Sequence, residues 1–273
     1  MLNQEPYNAA LDYPLFAEKL SCKKLCHKFN QLSPEKMTER NRLISKILGK
    51  TGKVFLIEQP FMCDYGYNIE IGENFGSNHN LLILDPGKVK FGNNVMVGAN
   101  CSFYTTNHPL DPHLRNEYLQ WARPITVEDN VWICSNVVVL AGVTIGENSV
   151  IGNSTEVKNA IIFNNCQCPH YNYVGDSVLG EYAHTGAGVI LSNFKSDGSN
   201  VKVRDNNEVI ETGLRKFGAI LGNRADIGCN SVLFPGTIIG QNTNVYPLTR
   251  VRGEILPNRI VKDTDIIVEK ENL

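Results

Sequence analysis

The stretch "ITVEDNVWICSNVVVLAGVTIGENSVIGN", residues 125–153, repeats its apolar positions every six residues. Neither an α-helix, with 3.6 residues per turn, nor a β-strand, with a period of two, produces this spacing. The gaps hold Gly, Asn and Glu, which suit tight corners between very short strands. The repeat therefore predicts a solenoid of stacked coils. The first apolar set is Val127, Ile133, Val139, Ile145, Ile151 and Val157, and a second set of apolar or small residues, four positions later, is Val131, Val137, Val143, Ser149, Thr155 and Ile161.

The same spacing recurs on both sides of this stretch, so we expect coils from about residue 55 to about residue 250. The six-residue spacing is interrupted in two segments, residues 104–125 and 193–217. Stacked coils need no such excursions to bury a core, and insertions in solenoids gather on the face that binds ligands. We expect the charged tail after Gly253 to be peripheral.

Composition excludes several classes of protein. The chain has 273 residues, 42% of them hydrophobic, which is ample for a buried core. A formal net charge of −2 gives no general attraction to nucleic acid or anionic membranes. No apolar run is long enough to span a bilayer, and the start "MLNQEPYNAALDYP" lacks the features of a signal peptide, so we expect a cytoplasmic protein.

The eight cysteines occur singly or as the pairs Cys22/Cys26 and Cys166/Cys168. They match neither a paired CxxC zinc site nor the framework of a small secreted domain. We expect reduced cysteines that pack in the interior, and no metal.

Two amphipathic helices are predicted before the coils. The first covers residues 14–30, and the second begins with Ser33 as N-cap and Pro34 at its first position and ends near Gly49. Such helices cover the open end of a solenoid. The chain thus divides into a helical cap (1–53), a first β-helical section (54–158) and a second (159–273).

Residues 7–152 carry the segments "QPFMCDYGYNIEIGENFGSNHNLLILD", "FYTTNHPLD" and "ARPITVEDNVWICSNVVVLAGVTIGENSVIG". Together these resemble the maltose and galactoside O-acetyltransferases of the hexapeptide-repeat superfamily. The resemblance implies a left-handed parallel β-helix, mainly β, with an N-terminal helical cap. It also implies a homotrimer with active sites between neighbouring subunits, acetyl-CoA as co-substrate and a small sugar as acceptor.

The segment "IGNSTEVKNAIIFNNCQCPHYNYVGDSVLGEYAHTGAGVILSNFK" belongs to a second resemblance, over residues 148–253. It is similar to the β-helical acetyltransferase domain of the bifunctional glucosamine-1-phosphate acetyltransferase and N-acetylglucosamine-1-phosphate uridylyltransferase, and to stand-alone relatives of that domain. Nothing in the chain resembles the uridylyltransferase domain.

The first resemblance assigns His108, in the "HP" loop, as general base, and the pKa of an unperturbed histidine suits that role. It places Asn78 and Asp12 at the acceptor, although Asp12 is equally suited to cap a helix. Ser135 is expected to offer a backbone N–H to the developing oxyanion. Trp132 is expected to contact acetyl-CoA, with a buried packing role as the alternative.

Several positions depart from the family patterns. Cys134 replaces the glycine of the "WIG" motif, and Pro86 replaces a second acidic residue after Asp85. The coils that hold coenzyme A in the O-acetyltransferases here read "GNSTEVKNAII", so Asn153 and Lys158 are the substitutes that we expect to bind it.

The second resemblance assigns His170 as a catalytic base and Tyr173 and Lys158 as sugar-phosphate contacts. Arg250 and Arg252 are further candidates for this second site. Here His184 replaces an asparagine, and aliphatic residues such as Leu140 stand where a phosphate-binding arginine is expected. Losing a bidentate phosphate ligand weakens the second site.

Three functions remain open, and O-acetylation of a sugar through His108 is the leading one. The alternatives are N-acetylation of an amino-sugar phosphate through His170, and a non-catalytic trimeric scaffold. A γ-type carbonic anhydrase is disfavoured because His108 and His113 lack a convincing third zinc ligand.

Overall fold

The computed structural model describes residues 1–8, 10–205 and 208–270. The chain divides into two compact units, residues 1–143 (unit 1) and 144–273 (unit 2). Both units are mainly β, and each is a parallel β-solenoid. The predicted fold class is confirmed.

Unit 1 begins with helices α1 (Tyr13–Asn30) and α2 (Met37–Ile47). Helix α1 agrees with the prediction, but α2 starts later than expected, and Ser33 is not its N-cap. Instead, Ser33 accepts a turn hydrogen bond from Lys36 N at 3.0 Å. The buried Arg40 guanidinium donates to the Pro34 carbonyl at 3.1 Å, which holds this turn outside the helix.

Among the residues that the structure describes, fourteen strands and a short helix, α3 (Pro112–Asn116), complete unit 1. The strands are β1 (Tyr7–Asn8), β2 (Phe55–Ile57), β3 (Phe61–Cys63), β4 (Ile69–Ile71), β5 (Phe75–Ser77), β6 (Leu81–Leu84), β7 (Val89–Phe91), β8 (Met96–Val97), β9 (Ser102–Tyr104), β10 (Thr106–Asn107), β11 (Leu119–Ala122), β12 (Ile125–Val127), β13 (Trp132–Ile133) and β14 (Val138–Leu140).

Successive strands of the coils pass through three parallel sheets. In unit 1 the first sheet has the order β4-β7-β12, the second β2-β5-β8-β13 and the third β3-β6-β9-β14. Their inward side chains form the core, where Phe91 lies between Phe75 and Phe103 with ring centroids 5.1 Å and 5.0 Å away. Offset and edge-to-face contacts of this kind add to the burial of apolar area.

Asparagines hold the corners between the sheets. The side chains of Asn80, Asn100 and Asn136 form a ladder with N···O distances of 2.8 Å and 3.2 Å. All three have a positive φ, which asparagine tolerates better than most residues do. The ladder therefore explains why Asn recurs at the corners of the repeat.

The described residues of unit 2 show the same pattern, in twenty strands. They are β15 (Thr144–Ile145), β16 (Val150–Ile151), β17 (Glu156–Lys158), β18 (Ile161–Ile162), β19 (Gln167–Cys168), β20 (Tyr173–Gly175), β21 (Val178–Leu179), β22 (His184–Thr185), β23 (Ile190–Leu191), β24 (Lys202–Asp205), β25 (Glu208–Glu211), β26 (Ala219–Leu221), β27 (Asp226–Ile227), β28 (Val232–Leu233), β29 (Thr237–Ile239), β30 (Asn244–Val245), β31 (Arg250–Val251), β32 (Glu254–Ile255), β33 (Arg259–Asp263) and β34 (Ile266–Glu269).

The sheets of unit 2 have the orders β15-β18-β21-β26-β29-β32 (first), β16-β19-β22-β27-β30-β33-β34 (second) and β17-β20-β23-β28-β31 (third). Strands β24 and β25 form an antiparallel hairpin outside the coils, as expected for the excursion at 193–217. The tail prediction is wrong, because Ile255 and Val261 are buried on strands that extend the coils.

One side chain of the predicted repeat, that of Ile161, faces solvent instead of the core. Ile161 is 48% exposed, whereas Ala160 and Ile162 are buried. Thr144 pairs with Ile161, seventeen positions later, so this coil is one residue short of three hexapeptides. The register slips by one residue there, which reverses inside and outside.

All eight cysteines are free, and six of them are buried, as expected for packing residues. No helix within the described residues has the length and apolar character needed to cross a membrane.

Candidate active site

The excursion at 104–125 forms a small antiparallel sheet of its own. It leaves the third sheet after Tyr104 and returns to the first sheet at Ile125. Strands β10 and β11 pair with each other, and β1, from the N-terminal segment, adds to β11 in the order β1-β11-β10. The base of the loop is therefore ordered by backbone hydrogen bonds.

His108 directly follows β10 and is exposed. On its C-terminal side, the Arg115 guanidinium donates to the carbonyls of Pro109 at 3.2 Å and Leu110 at 3.1 Å. The Asp111 carboxylate caps α3 by accepting from the next two backbone N–H groups, at 2.8 Å and 3.1 Å. The backbone is thus held on both sides of His108 while its imidazole faces solvent.

Asn78 lies at a different corner, between the second and third sheets. Its backbone N–H donates to Val97 O at 2.9 Å, and the Gly98 N–H donates to Ile133 O at 2.7 Å. Asn78, Gly98 and Cys134 therefore occupy equivalent positions in three successive coils. Because adjacent strands lie about 4.8 Å apart, Asn78 and Cys134 are separated by about 10 Å along the stack.

Ser135 follows Cys134 at the same corner. Its hydroxyl accepts from Ala99 N at 3.2 Å. A Cβ on Gly98 would lie 2.5 Å from Ser135 N, so only glycine permits this approach of the two coils. Asn78 and Ser135 are thus brought to one corner of the coils.

Trp132 lies on the outer face of β13 and is 50% exposed, because Ile133, the next residue, points inward. The alternative of a buried packing role is wrong. Along the second sheet the outward positions Leu56, Gly76, Met96 and Trp132 are aligned. Leu56, Met96 and Trp132 form an exposed apolar stripe on unit 1, between 38% and 59% accessible.

His108 does not share the corner of Asn78 and Ser135. Its loop leaves between the third and first sheets, whereas the other two residues lie between the second and third. Asp12 is an exposed residue that caps α1 by accepting from Leu15 N at 3.1 Å. The capping role of Asp12 is confirmed, and its contact with the acceptor stays a prediction.

Asp85 is the most completely buried carboxylate of unit 1. It accepts backbone hydrogen bonds from Asp64 at 3.0 Å, Tyr65 at 2.9 Å and Gly66 at 2.7 Å. Burial raises the pKa of Asp85 to about 6, although these three N–H donors act in the opposite direction. Its carboxylate holds the turn at 64–66, a role that the sequence did not reveal.

In unit 2, His170 is exposed at a corner between the second and third sheets, with its ring 5.9 Å from that of Tyr171. Tyr173 is half-buried, and its hydroxyl accepts from Asn193 at 3.0 Å. Asn193 also donates to Asp176. The Tyr173 hydroxyl, predicted to contact a sugar phosphate, is therefore part of a network within the protein.

Asn153 and Lys158, the predicted substitutes for the coenzyme A ligands, are half-buried. The Asn153 amide oxygen accepts from the Ser154 hydroxyl at 2.8 Å. Burial and the neighbouring Lys158 ammonium lower the pKa of Lys216. Two ammonium groups therefore lie together in unit 2.

A cavity of about 450 Å³ lies between the β24–β25 hairpin and the coils of unit 2. Its charged lining includes Lys195, Lys202, Arg204 and Arg252 against a single carboxylate, Asp197. Arg250 is exposed and does not line this cavity. Of the two arginines proposed for a second site, Arg252 lines this cavity and Arg250 does not.

His184, which replaces an expected asparagine, contacts Asp226, with Nδ1 2.7 Å from Oδ1. The hydrogen bond from His184 lowers the pKa of Asp226. At position 184 the chain therefore has a histidine that pairs with Asp226 at the surface, where the family pattern has the side-chain amide of an asparagine.

Comparison with known proteins decides the family. Residues 1–52 match the maltose acetyltransferase hexapeptide capping motif, and residues 121–214 match the C-terminal domain of GMPPB. A putative acetyltransferase of Saccharomyces cerevisiae is 44% identical over 153 residues, which cover 56% of this chain and 78% of the relative. The chain belongs to the hexapeptide-repeat acetyltransferases.

Solved acetyltransferase structures agree with this membership. A maltose O-acetyltransferase from Clostridium difficile 630 superposes with a TM-score of 0.56 at 40% identity, covering 57% of this chain and 83% of that chain. A galactoside acetyltransferase in complex with coenzyme A gives a TM-score of 0.58 at 35% identity, covering 60% and 82%. About two fifths of this hexapeptide-repeat acetyltransferase chain lies outside the aligned region in each of these two comparisons.

Proposed function

We propose that this protein transfers an acetyl group from acetyl-CoA to a hydroxyl of a small sugar, with His108 as general base. The observation that carries the proposal is the exposed imidazole of His108 on a loop held by β1, β11 and Arg115. The protein acts in the cytoplasm and uses no metal in this reaction.

The chemistry needs a proton acceptor and an oxyanion donor. His108 accepts the hydroxyl proton while the sugar oxygen attacks the thioester carbon, so that a C–O bond forms. When the C–S bond breaks, the imidazolium returns the proton to the thiolate of coenzyme A. The Ser135 backbone N–H stabilises the oxyanion between these steps, and Asn78 and Asp12 bind the acceptor.

A homotrimer completes the site. Within one chain His108 and Asn78 belong to different corners, so His108 of one subunit serves the Asn78 and Ser135 of its neighbour. In a monomer, the three neighbouring apolar side chains of the stripe, Leu56, Met96 and Trp132, would be partly exposed to water, and a subunit interface would cover them. Trp132, at the end of the stripe, contacts acetyl-CoA in the assembled cleft. Analytical ultracentrifugation showing a monomer at micromolar concentration would contradict this assembly.

The test is release of free thiol from acetyl-CoA with maltose, glucose, galactosides or glucosamine 1-phosphate as acceptor. We expect His108→Ala to lower the rate by at least about 10²-fold, because a general base contributes about 10²–10⁴-fold. His113→Ala is the matched control, since His113 is an exposed histidine of the same loop. His170→Ala should stay within a factor of a few.

Two outcomes would reject the proposal. If no acceptor releases thiol, the result favours a non-catalytic trimeric scaffold. If His170→Ala abolishes turnover and His108→Ala does not, the enzyme is the second half of the chain. Lys158→Ala and Asn153→Ala test the donor side, where we expect a raised KM for acetyl-CoA with little change in kcat.

The cavity of unit 2 favours a second candidate, an amino-sugar phosphate N-acetyltransferase that uses His170. Four cationic side chains line the cavity of about 450 Å³; Lys195 and Lys202 pair with Asp197 and Glu211, so Arg204 and Arg252 are the groups that best suit a phosphorylated ligand. His170 and Arg252 lie at different corners, which weakens this candidate. Calorimetry with glucosamine 1-phosphate tests it, because Arg252→Ala should abolish binding while the matched Arg250→Ala leaves it unchanged.

A further inference from the structure

Three buried thiols meet between helix α1 and the first coil. Cys22 and Cys26 lie one helical turn apart on α1, and Cys63 ends strand β3. The Sγ of Cys63 is 3.5 Å from that of Cys22 and 3.8 Å from that of Cys26, and all three sulfurs lie within 4.8 Å of one another. Each residue is at most 5% exposed.

These spacings match a metal site better than a disulfide. A tetrahedral ion with metal–sulfur bonds of about 2.3 Å holds its sulfurs about 3.8 Å apart. A disulfide needs about 2.05 Å between sulfurs. One ion at the centre therefore needs changes of about 1 Å or less in the distances between the sulfurs.

We propose that Cys22, Cys26 and Cys63 bind one thiophilic metal ion, Zn²⁺ or Cu⁺, which fastens α1 to the first coil of unit 1. Thiolates are the soft ligands that these ions prefer. Three sulfur–metal bonds form, each thiol releases its proton to solvent, and no electron is transferred. The site is separate from His108 and from the proposed acetyl transfer.

The surroundings provide for a fourth ligand. A cavity of about 210 Å³, lined by Cys22, Glu18 and Tyr67 among others, adjoins the cluster. It has room for water, which completes tetrahedral coordination of zinc, whereas three thiolates alone suffice for Cu⁺.

The test begins with the reduced full-length protein. Element analysis after purification, then equilibrium dialysis against Zn²⁺ or, without oxygen, Cu⁺, should find one ion per chain, and the ion with the higher affinity is assigned to the site. Cd²⁺ serves as an optical probe, because thiolate ligation produces a charge-transfer band in the ultraviolet. Three thiols per chain should become unreactive to a thiol reagent when the ion binds. The melting temperature should rise by several degrees, since a ligand of the folded state stabilises it.

Variants assign the ion to these three sulfurs. Cys63→Ser and Cys26→Ser should each lower the affinity at least tenfold, whereas Cys101→Ser, which changes a buried thiol elsewhere in unit 1, should not. If a variant fails to fold, sulfur-edge or metal-edge absorption spectra of the wild type still count the sulfur ligands. Absence of binding in both arms, fewer than three sulfur ligands, or a disulfide between two of the three residues would overturn the proposal.

Discussion

Replacing Asp85 by alanine tests how much one buried carboxylate contributes to unit 1. The substitution leaves the N–H groups of Asp64, Tyr65 and Gly66 without their acceptor in a buried turn. An unsatisfied buried donor costs about 1–3 kcal/mol. Removing the carboxylate also relieves its own desolvation, so we take the lowest value for each donor and expect a loss of about 3 kcal/mol.

The assay is thermal unfolding followed by circular dichroism at pH 7. For a domain of this size a loss of about 3 kcal/mol corresponds to a fall of about 6–12 °C in the melting temperature. Asp64→Ala is the comparison variant, because it leaves the three N–H groups with their acceptor and removes the 2.8 Å salt bridge between the largely buried Asp64 carboxylate and the Lys19 ammonium, which is 36% exposed. A fall of less than about 3 °C for Asp85→Ala would show that water or a backbone shift satisfies the three donors, and the reasoning would then be wrong.

Three further predictions concern Asp85, the coil corner and the loop. Burial raises the pKa of Asp85 to about 6, so this group stabilises the folded state most below about pH 4. As the pH rises from about 4 to 7, the free energy of unfolding of the wild type should fall by about 3 kcal/mol relative to that of Asp85→Asn. Free energies of unfolding that change in parallel for the two proteins across this range would contradict the prediction. Gly98→Ala should cost about 1–3 kcal/mol in urea unfolding because its Cβ would lie 2.5 Å from Ser135 N, whereas Gly76→Ala, with nothing within 4 Å, should be nearly neutral. Arg115→Ala should lower kcat about tenfold, because His108 would be misplaced, with little change in melting temperature. An unchanged kcat would mean that the hydrogen bonds from Arg115 to the loop carbonyls do not position the base.

The six-residue period determined most of the solenoid without further information. Val127, Ile133 and Val139 are fully buried as predicted, because the alternation of side chains along short strands follows directly from the spacing. The two excursions were also predicted from the loss of the period. The family membership followed from local sequence motifs, which can be recognised without knowing which residues are in contact.

Other features depend on which residues meet across the stack, and spacing along the chain does not specify this. The six-residue period predicts that the Ile161 side chain faces the core. It is exposed because its coil is one residue short of three hexapeptides. The acceptor role of Asp85 needs a turn about twenty residues earlier to fold over it. The spacing of Cys22 and Cys26 puts both thiols on one face of α1, but only the packing of that helix on β3 brings Cys63 within 3.5 Å of Cys22. Tertiary structure decided these contacts because they join elements whose relative position is set by the packed core and not by local sequence.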